Sequence, residues 1–547
     1  MSGFGERFRR AGFDLPKPLI EVEGKRIIEH VVELFDEDSD FIFVVNQDHL
    51  EDSAFQLRQI LEKVAPKGRI IAIAPHRLGP VHACLAASSH LDLEAEIVVN
   101  YADFSCLWNF EEFVANVRDE QLDGAVPAYR GFHPHSAGTT NYAYIQETNL
   151  RLTQIREKQP FTSDKTQEFA STGTYFFRTA GLMVEYFEMV IKGQISVSGE
   201  FYASSAFDLM AKGGLKVGVF EVQHFMQWGT PEDLAEYCYW SEQFRKLAHW
   251  GGADTSVQST GDVYVLASGK GQRFSSAGYT TPKPALSISG SSLLEQVIRV
   301  AEPRNLVSVS LAVESARYFK HLIELKRVVL DETEGQASSA ELLLSRSGCS
   351  KTRPLTILPS DTLFAHRQNG LEDIIGEMAS KPYVIPWVCA PTPNSKRRPE
   401  SYGWLTEGDC GYQVHVKERP PNSNSKILSG AFTFSSVRDF NTLYEAQQKQ
   451  GKRVNGEFYL DTLVGLAIEL GFDVRPFEPE FCVSLGTPFE FETFRYWQSA
   501  FDKWSSHPYS LEKDPFVDSH NLSLVRDELD KTRHLPEEWV GIPGAPL

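Results

Sequence analysis

The chain lacks a basic excess. Its 73 Asp and Glu outnumber its 54 Lys and Arg, giving a formal net charge of −19. Nucleic acid and anionic membranes both call for a basic face, so neither is expected as the main partner. A local basic pocket for phosphates stays allowed. Long apolar runs are also missing. None reaches the roughly 18 residues a spanning helix needs, so no membrane insertion is expected. The opening Met1-Ser2-Gly3-Phe4-Gly5-Glu6-Arg7 has no apolar stretch of the kind a signal peptide carries, and a cytoplasmic location is the expectation. Cysteine is sparse: 7 residues lie scattered at 84, 106, 238, 349, 389, 410 and 482. An odd count with no CxxC or other metal-ligand spacing points to free thiols in a reducing compartment.

What remains is ordinary globular material, 42% hydrophobic and 23% charged. A chain of 547 residues is too long for one core, because cores stop growing near roughly 250–300 residues. Two domains are the prior, and the sequence repeats itself accordingly. Ser2-Gly3-Phe4-Gly5-Glu6-Arg7-Phe8 returns as Ser268-Gly269-Lys270-Gly271-Gln272-Arg273-Phe274, at an offset of 266. At that offset Ala11-Gly12 matches Ala277-Gly278, and Pro16-Lys17-Pro18 matches Pro282-Lys283-Pro284. Further on, Gly199-Glu200-Phe201-Tyr202 recurs as Gly456-Glu457-Phe458-Tyr459, Gly229-Thr230-Pro231 as Gly486-Thr487-Pro488, and Tyr239-Trp240 as Tyr496-Trp497, all at an offset of 257. Collinear landmarks of this kind read as duplication of a whole domain. We expect one domain over residues 1–250, a second over 261–503 and a tail over 504–547, with a linker near Gly251-Gly252-Ala253-Asp254-Thr255-Ser256.

Val263–Ala267 is a short apolar run that ends at a Gly-rich segment and reads as a buried strand. Phe41–Val45, Arg69–Ile73 and Ile97–Asn100 read likewise. Helical spacing links Ile27, Ile28, Val31, Val32 and Phe35, and again Phe55, Leu57, Ile60 and Leu61. Strand–helix alternation predicts an α/β fold in each copy, a Rossmann-like, mainly parallel mixed sheet with ligands beyond the C-terminal strand ends. The second copy has a strand before its Gly-rich loop, whereas the first begins at the loop. Either translation starts upstream, or the first domain folds without its leading strand; the expectation is the former.

Gly-x-Gly-x-Arg offers close backbone approach and amide donors to phosphate oxygens. Gly3, Phe4 and Gly5, and in the second copy Gly269 and Gly271, are the loop positions. Arg7 and Arg273 supply a guanidinium fork. Lys17 and Lys283 supply a point charge stiffened between two prolines. The loop is neither a Walker motif nor GxGxxG. A bare GxG is most often a plain turn, but GxGxRF with PKP, twice in register, points to a triphosphate cradle.

The segment from Ser2 to Val32 resembles the N-terminal signature of sugar-phosphate nucleotidyltransferases, which carry a Gly-rich loop, an Arg and a PKP lysine before an apolar strand. The resemblance covers roughly residues 1–246 and 261–503. It implies a Rossmann-like sheet, Mg²⁺ as cofactor, and attack of a sugar phosphate on the α-phosphorus of an NTP. By position, Asp103 resembles the first metal-binding aspartate and Asp361 its second-copy equivalent. Gln227 stands where the family places a second metal aspartate, and Ser484 follows it in the second copy. Gly79, in Gly79-Pro80-Val81-His82-Ala83, resembles the base-contacting segment, and Gly335-Gln336-Ala337 resembles it more closely. Glu157 and Lys158 match the EKP segment that holds the sugar phosphate, Gly173 matches the glycine under the sugar, and Glu200 is a candidate polar contact. Surface ion pairs, turn aspartates and helix caps are the plainer alternatives at these positions. In the second copy Lys417-Glu418-Arg419-Pro420 replaces Glu157-Lys158-Gln159-Pro160, so a changed charge order is expected there, and with it reduced or different activity. His133-Pro134-His135 reads as an exposed loop, not a metal pair. Trp228, Trp240 and Trp497 read as core or interface.

The expected partners are therefore an NTP and a phosphorylated small molecule, a sugar phosphate first among them; self-association into a homo-oligomer is left open. Rival readings are a tandem nucleotide-sensing or scaffold protein without catalysis, a glycosyltransferase (for which Asp103-Phe104-Ser105 supplies only the first member of a DxD motif), and the same chemistry on a non-sugar phosphate such as a phosphoalcohol.

Overall fold

The structure is a computed structural model that describes residues 1–137, 141–250, 261–301, 307–324, 328–331, 333–348, 350–365, 370–378, 380–409 and 411–531. The expected linker at 251–256 lies outside the described residues. The chain divides into two compact units. One comprises Met1–Trp240 with Lys503–His507, the other Ser241–Asp502 with Pro508–Asp530. The division falls within the helix Pro231–Trp250. Much of the described tail packs with the second unit, where Val525 and Leu529 are buried.

Each unit is a mixed α/β layer structure. In the second, Asp262–Ala267 lies between Val307–Ala312 and Leu355–Pro359 and pairs with both in parallel. Val328–Asp331 extends this parallel set, while Lys426–Phe434 and Tyr383–Cys389 continue the sheet antiparallel. In the first unit a seven-stranded sheet runs Phe169–Ser171, Ala143–Thr148, Arg151–Glu157, Val217–Glu221, Gly124–Tyr129, Thr174–Phe177, Ile97–Asn100. Ile42–Asn46 and Arg69–Ile73 pair in parallel as a separate two-stranded sheet. No described strand joins that pair to Ile97–Asn100, whereas Asp262–Ala267 makes the equivalent join in the second unit.

Sequence patterns explain the covering helices. Ala180–Lys192 starts at Thr179, whose hydroxyl accepts from the Leu182 amide, and buries Met183, Phe187 and Val190 along one stripe. Phe110–Asp119 is capped by Asn109 through the Glu112 amide, carries Glu111 and Glu112 in its first turn, and buries Phe113 and Val117. Trp228, Trp240 and Trp497 are buried, in keeping with a core role. The histidine pair departs from expectation: His133 is buried at 3% exposure, and His135 bonds the Tyr129 hydroxyl at 2.8 Å within an aromatic cluster with Tyr142 and Phe225. Burial there, next to His133, holds His135 well below the ordinary histidine range. Packing against aromatic side chains outweighed the polarity of the surrounding Gly/Pro/Ser segment.

Candidate active site

The Gly-rich loop turns directly into a one-turn helix in both units. Gly5 takes φ +63° before Glu6–Arg10, and Gly271 takes φ +60° before Gln272–Ser276. That left-handed conformation favours glycine. Gly3 and Gly269 take no left-handed conformation, and a β-carbon there would meet nothing within 4 Å. Packing does not demand them, and the open space in front of the backbone suits a ligand's approach. The Phe4 carbonyl accepts from Arg9 Nε at 3.1 Å, and the Arg77 guanidinium lies over the Phe4 ring at 5.5 Å while gripping Glu6. Arg77 is a basic neighbour of the loop that motif reading missed.

Lys17 opens a 3₁₀ turn, Lys17–Leu19, preceded by Pro16. Its ammonium donates to Asp103 Oδ2 at 2.7 Å, across 86 residues of sequence. Lys283 and Asp361 repeat the pair at 2.6 Å. Burial acts to raise Asp361, but the Lys283 ammonium, with help from Arg273, outweighs it and holds the carboxyl below its ordinary value. Each aspartate sits just past a strand, Ile97–Asn100 or Leu355–Pro359. The two-stranded ladders Phe104–Leu107 with His224–Gln227, and Thr362–Ala365 with Phe481–Ser484, bring the second expected metal position alongside. A β-carbon on Gly229 would stand 2.9 Å from Gln227 Nε2 and 3.0 Å from Asp103 Oδ2, so the two side chains flank that glycine. In the second unit Ser484 and Asp361 flank Gly486 in the same way.

Among the described residues no group of three or more His, Cys, Asp or Glu is placed to hold a metal. Mg²⁺ seldom needs one, since one or two protein oxygens plus water and phosphate suffice. Gln227 Oε1 is a buried acceptor with no hydrogen-bond partner among the described residues. It is Nε2 of that amide that stands with Asp103 Oδ2 at Gly229, so the Asp103 carboxylate, and Gln227 Oε1 once the amide turns over, are the oxygens that would receive a magnesium ion.

Glu200–Tyr202 forms the hub of the other side. The Val81 amide donates to the Phe201 carbonyl at 3.2 Å, and the Phe201 amide to the Leu78 carbonyl at 2.9 Å. Gly79 lies between these bonds at φ +88°, where a β-carbon would stand 2.7 Å from the Phe201 carbonyl. Gly335 and Phe458 repeat this contact. The Tyr202 hydroxyl donates to Glu200 and accepts from Lys158 Nζ at 2.5 Å. The charges of Arg7 and Glu157 both reach Tyr202. Arg7 is exposed, and its second-copy counterpart Arg273 acts on Asp361, Lys417 and Tyr459. Gly173, at φ +97°, approaches the Tyr101 ring, and its carbonyl accepts from the Tyr101 amide at 3.1 Å. Tyr142 links the two halves, since its carbonyl accepts from the Lys158 amide while its hydroxyl side faces Gln227 and Asp103.

The structure corrects the register at the EKP segment. Lys158 has φ +58° and donates its amide to Tyr142; Lys417 has φ +56° and donates to Tyr402. Lys158 stands 4.4 Å over the Tyr202 ring, and Lys417 5.6 Å over Tyr459. The lysine is therefore kept in both copies, and the charge order is unchanged at that position. Glu157 aligns with Val416, one residue off the letter match. Backbone conformation fixes this register, and letter matching does not see it.

A nucleotidyl transferase family model matches residues 1–235, and a MobA-like NTP transferase domain model matches residues 263–453. The bifunctional protein GlmU of Alkaliphilus metalliredigens is 24% identical over 249 residues, 43% of this chain and 49% of that protein. GlmU of Nitrobacter hamburgensis is 27% identical over 226 residues, 40% of this chain and 46% of that protein. The chain thus spans about half the length of these curated relatives. Among solved structures, the nucleoside-diphosphate-sugar pyrophosphorylase from Vibrio cholerae RC9 is similar at 19% identity and a TM-score of 0.37, covering 44% of this chain and 98% of that one. A UDP-glucose pyrophosphorylase complexed with UDP-glucose is similar at 18% identity and a TM-score of 0.36, covering 44% and 96%. Two successive NTP transferase family domains make up most of this chain, which belongs to the nucleotidyltransferases.

Proposed function

We propose that the first unit joins a nucleoside triphosphate to a sugar phosphate, releasing pyrophosphate. The observation that carries this reading is the Lys17–Asp103 pair at 2.7 Å, set at the strand ends beside the Gly-rich loop. A phosphate oxygen of the acceptor attacks the α-phosphorus, and the bond to the β-phosphate breaks. The acceptor is already an anion, so no strong base is needed, and positioning with charge neutralisation does the work. The loop amides and Arg7 receive the triphosphate tail. Lys17, held by Asp103, meets charge building at the α-phosphoryl group. Lys158, Glu157 and Glu200 receive the acceptor; the space beside Gly173 is filled by the Tyr101 ring, so that glycine serves packing and not the acceptor's approach. Gly79 positions the segment that faces the base. Mg²⁺, held through Asp103 and Gln227 Oε1, would neutralise phosphate charge as a Lewis acid.

The test is pyrophosphate release from a panel of five NTPs and several sugar phosphates, with a thermal-shift series beside it. A bound triphosphate stabilises by mass action, so the preferred one raises the melting temperature. Asp103→Ala is expected to remove that shift. No pyrophosphate from any pair would overturn the reading.

A further inference from the structure

Three positions that meet in the first unit change together in the second. In the first, Ala143 pairs with Glu157 across neighbouring strands, and the Ser204 hydroxyl donates to Glu157 Oε2 at 2.7 Å. Ser204 lies in the first turn of the helix Ala203–Lys212. In the second, Gly403 pairs with Val416 in the same register, and Asp461 opens the helix Asp461–Glu469. The amide bonds from Lys158 to Tyr142 and from Lys417 to Tyr402 fix the strand correspondence. The repeated Gly-Glu-Phe-Tyr segment fixes Asp461 on Ser204.

The acid has thus left the strand and reappeared on the helix facing it. The glycine belongs to the exchange, because a β-carbon at Gly403 would stand 2.1 Å from Asp461 Oδ2. Asp461 is only 7% exposed, and Lys417 is the cation that acts on it. A structural site would be filled more cheaply by an apolar or hydroxyl side chain, since a buried carboxylate is costly without partners. The Lys417 ammonium donates to the Ser401 carbonyl, and its charge acts on Asp461 as that of Lys158 acts on Glu157, while the acid's point of attachment moves from strand to helix. A pocket that must read a ligand hydroxyl, but from another direction, calls for this pattern. The nucleotide side of the cleft is in place, with Lys283 paired to Asp361 and Arg273 acting on Asp361, Lys417 and Tyr459, while Ser484 stands where the first unit has Gln227.

We propose that the second unit is a second nucleotidyl-transfer centre, in which Lys417 holds the acceptor phosphate and Asp461 reads an acceptor hydroxyl, so that it takes a different phosphorylated, hydroxyl-bearing molecule from the first unit. The proposal rests on the reading of the first unit as a nucleotidyltransferase. The step balances in the same way: one acceptor-oxygen to α-phosphorus bond forms, one α–β phosphoanhydride bond breaks, and pyrophosphate leaves with the electron pair.

The experiment uses the full chain with the five common NTPs and a panel of hexose 1-phosphates and polyol phosphates. Lys17→Ala is expected to lose one set of productive pairs and keep another, and Lys283→Ala to lose the second set. In the Lys17→Ala background, Asp461→Asn is expected to raise the acceptor KM at least about tenfold, the size of one charged hydrogen bond, with the NTP KM unmoved. A melting curve checks that this near-isosteric variant folds. The triple variant Gly403→Ala, Val416→Glu, Asp461→Ser is expected to shift acceptor preference toward that of the first unit. If Lys17→Ala abolishes all turnover of an active wild type, the second centre falls and the first stands. If the wild type releases no pyrophosphate at all, both fall. Surviving turnover with an unchanged acceptor KM in Asp461→Asn refutes the role of Asp461.

Discussion

Lys17 Nζ and Asp103 Oδ2 stand 2.7 Å apart although 86 residues separate them in the chain, and the duplicated pair Lys283–Asp361 stands 2.6 Å apart. Both members of each pair are partly exposed, so the contact itself adds little to stability. What it does is hold an ammonium group at the mouth of the strand ends.

Lys17→Ala should therefore cost turnover and spare the fold. On the substrate pair used by the first unit, kcat should fall by about 10²–10³, the usual loss for one contact to developing charge. Pyrophosphate release gives the rate, and a melting curve close to that of the wild type shows that the domain is intact.

Gly79→Ala tests the backbone contact under the base-facing segment. The new β-carbon meets Phe201 at 2.7 Å and is forced to φ +88°. Strain of this kind costs on the order of 1–3 kcal/mol. Denaturant unfolding should show the loss, and NTP affinity should weaken with it. Gly3→Ala, which meets nothing within 4 Å, should leave stability alone and weaken only triphosphate binding.

The acceptor side should respond to pH. Burial pushes Glu157 up to about 7, against the pull of the Ser204 hydroxyl and the Lys158 ammonium. The folded state holds this proton more tightly than the unfolded chain does. Its stabilising contribution is full below the ordinary value of 4.5 and is lost as pH rises through about 7. Melting temperature measured across that window should fall less steeply in Glu157→Gln. The acceptor KM of the wild type should change near pH 7, and that of the variant should not.

Lys158→Met keeps the length of the side chain and removes the charge from the Tyr202 hydroxyl, a 2.5 Å contact. The acceptor KM should rise about tenfold or more, with the NTP KM little changed. Equal losses for both substrates would show that Lys158 supports the cleft as a whole.

Much of this was legible in the letters. The loop glycines, Lys17 with its flanking prolines and the apolar runs at Arg69–Ile73 and Ile97–Asn100 carry local physics, namely turn conformation and burial. Asp103 follows a strand readable in the sequence, but its role, and that of Asp361, came from the resemblance to sugar-phosphate nucleotidyltransferases. What was not legible depends on contacts between distant segments. Arg77 meets the loop only through folding, and nothing in its own surroundings marks it. Lys417 could be matched to Lys158 only through a left-handed backbone and a carbonyl partner. The exchange of Glu157 for Asp461 involves three segments whose adjacency no alignment of two copies displays. His133 and His135 were misread as exposed because Tyr129 and Tyr142, close to them in sequence, fold over them and Phe225 joins from a distant strand.

The detached ladder of Ile42–Asn46 and Arg69–Ile73 has a consequence for motion. Its ten residues are hydrogen-bonded to each other across a single seam, while their counterparts in the second unit are clamped into a wide sheet by Asp262–Ala267. Amide exchange across this ladder, compared with that of Val307–Ala312, therefore reports whether a further strand covers the edge that Asp262–Ala267 covers in the second unit: early exchange marks a bare edge and slow exchange a covered one.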